Sequence, residues 1–581
     1  MSVTERIRVI EAIVKTPIYM VLGYTYGRVV YVSNEEGVVS LWSLDPKTGL
    51  KRRLTVEPIH SFTEPKHVSP LIVYTRDVTK GKELQKVYHV DVRDGEEKLL
   101  ADTPLMRIFG IAFDGVKSAF TGATMEDLAI YIARTDGSWE KLKKLDAISF
   151  VTDVNEDYIV GFGTLRGDPK TYEIFIYNLS SGEFKVYTPK EGSVSKVPKL
   201  FKDKMLFENN FEGKNRLYIY NIEADRLEKV RFTYTDYDRF NPIEHVDYGW
   251  TVDGKVWTIA KRDGRTKAFI DGKEVPTPLG YLSGMAILND KVYLSHSTLT
   301  TPPKIFEVDL KTNELKVVID NKLPRDVEES LGSTRFVKYR SFDGLAIPAF
   351  LVECRKTSKP GPSIIYVHGG PWSEVADMWN VLIASLVASG FHVLAPNFRG
   401  SIGYGEEFRM LDIGDPGGGD LKDIVYAREW AVKSRLADKI AITGYSYGGY
   451  MTLLALGRFP DLWSCGVAGA SVIDWEEMYG LSDAIFKKFI ETLFANKKEL
   501  LKERSPITYV ENVKAPLCIV HPQNDTRTPL KPVLKYLSKL LELGKTFEVH
   551  IAPDMGHIIT TMDDALKIVL PTIMFLEKHL K

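Results

Sequence analysis

The chain has 581 residues, too many for a single hydrophobic core, so two or more domains are expected. Its 76 basic and 77 acidic residues nearly cancel, which removes any electrostatic reason to expect nucleic acid or an anionic membrane as a partner. No run of eighteen apolar residues occurs, so no spanning helix is expected.

At the N-terminus, Ser2 and Glu5 form a capping-box pattern, and Val3, Ile7, Ile10 and Val14 line one helical face before Pro17. Residues 1–18 therefore read as a short amphipathic helix packed on the second domain. The charges at Glu5, Arg6, Arg8 and Glu11 interrupt the apolar stretch that a secretory leader needs. Cys354, Cys465 and Cys518 have no metal-type spacing and sit in apolar contexts, which suits buried free thiols in a reducing interior. A cytoplasmic protein is expected. Glutamine occurs only at Gln85 and Gln523, a depletion that points to a hot source.

Residues 19–325 repeat one theme: an apolar strand, a turn rich in Asp, Asn or Gly, and a more charged strand. The turn markers Asp45, Asp91, Thr135, Asn178, Asn221, Asp271 and Asp309 are spaced by 46, 44, 43, 43, 50 and 38 residues. A hairpin recurring every 40–50 residues is the rhythm of a β-propeller blade. Seven markers predict seven blades, with the sixth degenerate.

Residues 326–581 change rhythm. Apolar strands are predicted at 335–340, 347–352, 363–368, 391–396, 439–443, 465–470, 516–521 and 547–552. Amphipathic helices follow the later ones, for example at 421–433 and 530–543. This is the pattern of a doubly wound, mostly parallel α/β-hydrolase sheet, whose sites form at the carboxyl ends of its strands.

Within that half, Gly444-Tyr445-Ser446-Tyr447-Gly448 falls between a strand and a helix, the context a nucleophile elbow requires. A serine hydroxyl needs a base, and the base needs an acid to fix its tautomer. The next two strand ends supply Asp525 and His557, in the expected chain order. His521 reads as structural, His392 and His550 as core or surface positions within strands, Asp554 as a turn residue and Asp474 as a helix cap. Oxyanion donors are expected from the N–H of Tyr447 and from the loop carrying Gly369 and Gly370. The glycines of GDPGGGD lack the Lys and Ser/Thr of a phosphate loop. No HExxH or paired CxxC occurs, so neither metal nor cofactor is implied.

The pieces HGGPW, NFRGSIGYGEEF, GYSYGGYMT, HPQNDTRTPL and DMGHI resemble the prolyl oligopeptidase family of serine peptidases, and within it the acylaminoacyl-peptidase branch. The resemblance implies a triad of Ser446, Asp525 and His557, and an oxyanion hole at Gly369, Gly370 and Tyr447. It also implies that Arg527 contacts a substrate carbonyl, and that Trp475, Tyr479, Phe486 and Phe489 lie near an apolar side-chain pocket. The implied substrates are short peptides with a blocked first residue, the implied activity extends to esters, and a homo-oligomer is expected. Dipeptidyl peptidases of the family hold a free amine with paired glutamates. The close pair Glu35-Glu36 in the first blade lacks the aromatic surroundings for that role. A carboxylesterase, a dipeptidyl or oligopeptidase specificity, and a binding protein with an inert hydrolase domain remain open.

Overall fold

A computed structural model describes residues 3–581; the capping-box residue Ser2 and the side chain of Val3 lie outside what it describes. The first helix spans Val3–Val14 and buries Val9, Ile10, Ile13 and Val14, with Ile7 half-exposed. It packs against helices Val381–Ala388 and Met562–Leu580 of the C-terminal half, and Arg6 pairs with Glu577 at 2.8 Å. Burying each of Ile10 and Ile13 stabilises this contact by about 1.5–3 kcal/mol.

The propeller follows, from the strand Tyr19–Thr25 to the strand Leu315–Ile319. Every marker residue lies at the turn that leads into the last strand of its repeat. Most act through a carboxyl or amide oxygen that accepts from backbone N–H groups two or three residues on, as Asp45, Asn178 and Asp309 do. This is why Asp and Asn recur there. Seven separate blades were expected, and that count is corrected to six: the propeller strands hydrogen-bond into six sheets. The reason is the 17-residue strand Glu97–Phe113. Its first part pairs with Gln85–Asp91 and its second with Lys117–Ala123, so the second and third repeats merge into one six-stranded sheet.

In the C-terminal half eight strands form one sheet. Numbered in chain order from Thr334–Arg340 to Phe547–Ala552, they lie in the order 1-2-4-3-5-6-7-8. The first pairings are antiparallel and those from the third strand onward parallel. One face is covered by the helices Gly419–Lys433, Tyr447–Arg458 and Leu530–Glu542, the other by Val381–Ala388 and Met562–Leu580. Both faces are therefore dry, which explains the unbroken apolar strands. Among the described residues no helix is long and apolar enough to cross a membrane, and no group of His, Cys, Asp and Glu is arranged to hold a metal ion.

Candidate active site

The fifth strand, Ala437–Tyr445, ends directly at Ser446, and the helix Tyr447–Arg458 begins on the next residue. A reversal that abrupt places Ser446 at φ +59° and ψ −120°, a conformation costly for a residue with a side chain. Gly444 and Gly448 make it possible. A Cβ on either would collide with the carbonyl oxygen of Val367 on the neighbouring third strand. Removing those two side chains lets the elbow sit flat on the sheet edge and aims the Ser446 hydroxyl outward.

The seventh strand, Leu517–Pro522, leads to Asp525, and the eighth, Phe547–Ala552, leads to His557. Because strands five to eight are parallel neighbours, all three residues emerge at one edge of the sheet. The structure brings them into hydrogen-bonding range: His557 Nδ1 lies 2.7 Å from Asp525 Oδ2, and His557 Nε2 lies 2.9 Å from Ser446 Oγ. The carboxylate fixes the tautomer with the proton on Nδ1, so Nε2 is free to accept from the serine hydroxyl. Asp525 is 4% exposed. Burial alone would raise its carboxyl. The facing His557, and after it His521 and the N–H of Thr528 at 2.8 Å, outweigh burial and hold it below the ordinary carboxylate range. The hydroxyl of Tyr445 donates to the carbonyl of His557 at 2.9 Å and steadies that loop.

Gly369 runs against the nucleophile, since a Cβ on it would lie 3.4 Å from that of Ser446. Gly370 has φ +122°, a conformation open to glycine. The loop is braced by His368, whose ring stacks on Phe398 and bonds Ser401 Oγ at 2.8 Å and the Gly369 carbonyl at 2.7 Å. Burial pushes His368 down to about 4, so this brace stays uncharged. Tyr447 opens the elbow helix, and its N–H belongs to the first turn, where no intrahelical acceptor exists. Gly370 and Tyr447 thus line one cavity with Ser446, Gly369 lies beside it, and Tyr447 stands at the positive end of a helix.

Beside the triad lies a cavity of about 280 Å³. The hydrolase half contributes Trp475, Phe486 and Phe489 to its walls, and the propeller contributes Phe109, Phe150 and Tyr172. Tyr479 does not line it; its hydroxyl bonds Glu491 at 2.8 Å. Of the other sequence expectations, Asp474 caps the helix Trp475–Leu481 through the N–H groups of Glu476 and Glu477. His521 is buried against the carbonyl of Thr528, and Asp554 sits at φ +55° in an exposed turn.

Arg527 lines the cavity too, but its Nε and Nη2 face Glu83 of the propeller at 2.8 and 2.7 Å. Glu83 also pairs with Arg107 at 2.7 Å, and Arg107 reaches Asp483 and Thr526 at 2.6 Å each. Burial pushes the Glu83 carboxyl up, but the Arg527 and Arg107 charges outweigh it and bring it down to about 2. The hairpin tip bearing Glu83 clamps the two catalytic loops: Asn524 and Thr526 donate to the carbonyls of Lys80 and Lys82, and Gly81 abuts Gly556. Sequence reasoning missed Glu83, Arg107 and Asp483, along with the three propeller aromatics. Nothing local marks Glu83 or Arg107, because apart from each other their partners lie hundreds of residues away. Glu35 and Glu36, by contrast, pair with Lys51 and Arg53 within their own blade.

Comparison with known proteins agrees with this geometry. Residues 30–306 match the model of the acylamino-acid-releasing enzyme-like N-terminal domain, and residues 378–581 match that of the prolyl oligopeptidase family. The acylamino-acid-releasing enzyme of Mus musculus is 29% identical over 230 residues, covering 38% of this chain and 31% of that protein. The chain thus aligns with about a third of the length of that relative. Dipeptidyl aminopeptidase BIII of Pseudoxanthomonas mexicana is 25% identical over 544 residues, 89% of this chain and 73% of that one. Among solved structures, the acylaminoacyl peptidase of Pyrococcus horikoshii superposes with a TM-score of 0.71 at 20% identity, covering 98% of this chain and 97% of that one. A puromycin-hydrolyzing peptidase of Mycobacterium tuberculosis gives 0.80 at 14% identity, covering 98% and 96%. Residues 378–581 therefore form a catalytic domain of the prolyl oligopeptidase family of serine peptidases, joined to an acylamino-acid-releasing enzyme-like N-terminal domain.

Proposed function

We propose that this protein is a serine peptidase that releases an N-acylated amino acid from short blocked peptides. The observation that carries the reading is the joining of the Ser446–His557–Asp525 hydrogen-bonded chain to a cavity lined without any carboxylate. A free N-terminal ammonium entering that cavity would lose its water and find Arg527 as the charged group, a like charge. An acylated terminus carries no charge and loses little on burial. The apolar walls suit a large apolar side chain next to the cleaved bond.

In the reaction, His557 Nε2 takes the Ser446 proton as Oγ attacks the carbonyl carbon. The oxygen that becomes negative meets the Tyr447 N–H and the Gly369–Gly370 loop, donors already in place before charge develops. His557 then gives its proton to the leaving amine, and water repeats the sequence on the acyl-enzyme. Arg527, held by Glu83, presents a fixed positive charge to a substrate carbonyl, so the propeller and the hydrolase half complete the site together.

Three substrate series test this: acetyl-aminoacyl anilides, free aminoacyl anilides and short-chain esters. Preferential cleavage of the acetylated series is expected. Preference for the free amines would make the protein a dipeptidyl or aminopeptidase, and cleavage of esters alone would make it a carboxylesterase. The three buried free cysteines suit a reducing compartment, and we place the protein in the cytoplasm on that basis; recovery in a secreted fraction would refute this.

A further inference from the structure

Bonded to Tyr447 and Trp372, which both line the cavity, are two fully buried carboxyl groups that the triad does not use. Asp420 heads the helix Gly419–Lys433. Its Oδ2 accepts from the Tyr447 hydroxyl at 2.6 Å and from the Gly417 N–H at 3.1 Å, and its Oδ1 accepts from the Leu421 N–H at 2.8 Å. Asp412 ends the short turn Met410–Asp412. Its Oδ1 accepts from the Trp372 indole N–H at 3.2 Å, while its Oδ2, also buried, has no partner and fills the space a Cβ on Gly400 would need. Trp372 lies two residues beyond Gly370 and walls the cavity, edge-on to Phe489 at 5.5 Å.

The two carboxyls are provisioned differently. Three donors serve Asp420, enough to hold a buried negative charge at the start of a helix. Asp412 has one neutral donor and an orphaned oxygen, and a carboxylate left so is costly in a dry interior. The nearest cation, Arg409, directs its guanidinium to Glu406, the Tyr172 hydroxyl and the Lys170 carbonyl. The groups facing Asp412 are therefore Arg409 on its own segment, Trp372 on the oxyanion loop, Asp420 on the next helix and Tyr447 on the elbow helix. Two neighbouring carboxyls in such a place do not both ionise.

We propose that Asp412 and Asp420 are positioning residues for the hydrolytic step: Asp412, as a neutral acid, holds Trp372 and with it the Gly369–Gly370 loop, while Asp420, as a carboxylate, holds Tyr447 and its oxyanion-facing N–H. Burial, and after it the Asp420 charge, pushes Asp412 well above the ordinary carboxylate range; burial pushes Asp420 up to about 6. A single negative charge fixes the donor, whereas a second would oppose the charge that develops on the substrate oxygen. This inference rests on the hydrolase reading above, so its test includes a readout that needs no turnover.

The full chain is compared with Asp412→Asn, Asp412→Leu and Tyr447→Phe. Thermal melting from about pH 4 to about pH 9 is the first readout. A carboxyl kept protonated in the folded state stabilises fully below its unfolded value near 4, and that stability is lost as pH rises. The Tm of Asp412→Asn should therefore gain on wild type steadily toward high pH; a constant difference overturns the neutral-acid assignment whatever the enzyme does. The second readout is the maximal rate of fluorophosphonate labelling. Asp412→Asn keeps an acceptor for the indole and should label at least about tenfold faster than Asp412→Leu, and Tyr447→Phe should fall about tenfold from wild type with reagent affinity held within about threefold. Equal rates in the two Asp412 variants, or wild-type rates in Tyr447→Phe, overturn the positioning role. If Asp412→Leu does not fold, the melting series and Tyr447→Phe decide. Absence of labelling in the wild type would instead sink the hydrolase reading itself.

Discussion

Replacing Glu83 with Gln removes one charge from the joint between the two halves while keeping the side chain's size. Glu83 is 1% exposed and faces Arg527 and Arg107, at 2.7 to 2.8 Å. Those partners draw its carboxyl from 4.5 to about 2. At about 1.4 kcal/mol per tenfold, that preference for the charged form corresponds to roughly 3 kcal/mol of stability at neutral pH, within the range for breaking a buried pair. The sign follows from the lowered value: the contribution is complete above about pH 5 and fades as pH falls toward about 2. Glu83→Gln should therefore melt well below wild type at pH 7, with the gap closing in acid. The KM for acylated substrates should rise as well, because Arg527 loses the partner that fixes it. Differential scanning calorimetry across this pH range, alongside steady-state kinetics, reads both effects. A gap under about 1 kcal/mol at pH 7, or a gap independent of pH, would refute the reasoning.

Other expectations are as direct. Asp525→Asn should lower kcat by about three to four powers of ten, because the amide no longer enforces the Nδ1–H tautomer, and stopped assays over long incubations will measure the residue of activity. Gly448→Ala should lose both folded yield and activity, since the new methyl meets the Val367 carbonyl; soluble expression and circular dichroism check this. Phe489→Ala should weaken large apolar substrates by about tenfold or more in kcat/KM and leave small ones less affected. Glutamine depletion predicts activity that survives incubation above about 65 °C, a range where mesophilic domains have melted.

Much of the hydrolase half was legible because its grammar is local. A parallel sheet buried on both faces writes each strand as an apolar run, and the residue after each run lands at the same edge. That rule placed Ser446, Asp525 and His557 together with no knowledge of contacts. The caps followed from equally local chemistry, as at Asp474. The propeller repeats were visible through their Asx turns, but the blade count was not: between Glu97 and Phe113 the chain continues through Pro104 without reversing, and nothing in the sequence marks the switch of partner from one strand to the next. The aromatic wall was legible in part. Trp475, Phe486 and Phe489 point into the cavity while Tyr479, four residues after Trp475 on the same short helix, turns its hydroxyl to Glu491. The contacts between the halves were illegible, because Glu83 and Arg527 are separated by 444 residues and each alone resembles an ordinary surface charge.

The central claim is that the Ser446 hydroxyl, activated by His557, is the nucleophile. Mass spectrometry after treatment with a fluorophosphonate tests it most directly. One adduct on the peptide containing Ser446 is the expected result, with loss of labelling in Ser446→Ala and strong slowing in His557→Ala. An adduct on another residue, or full hydrolytic activity in Ser446→Ala, would contradict the account.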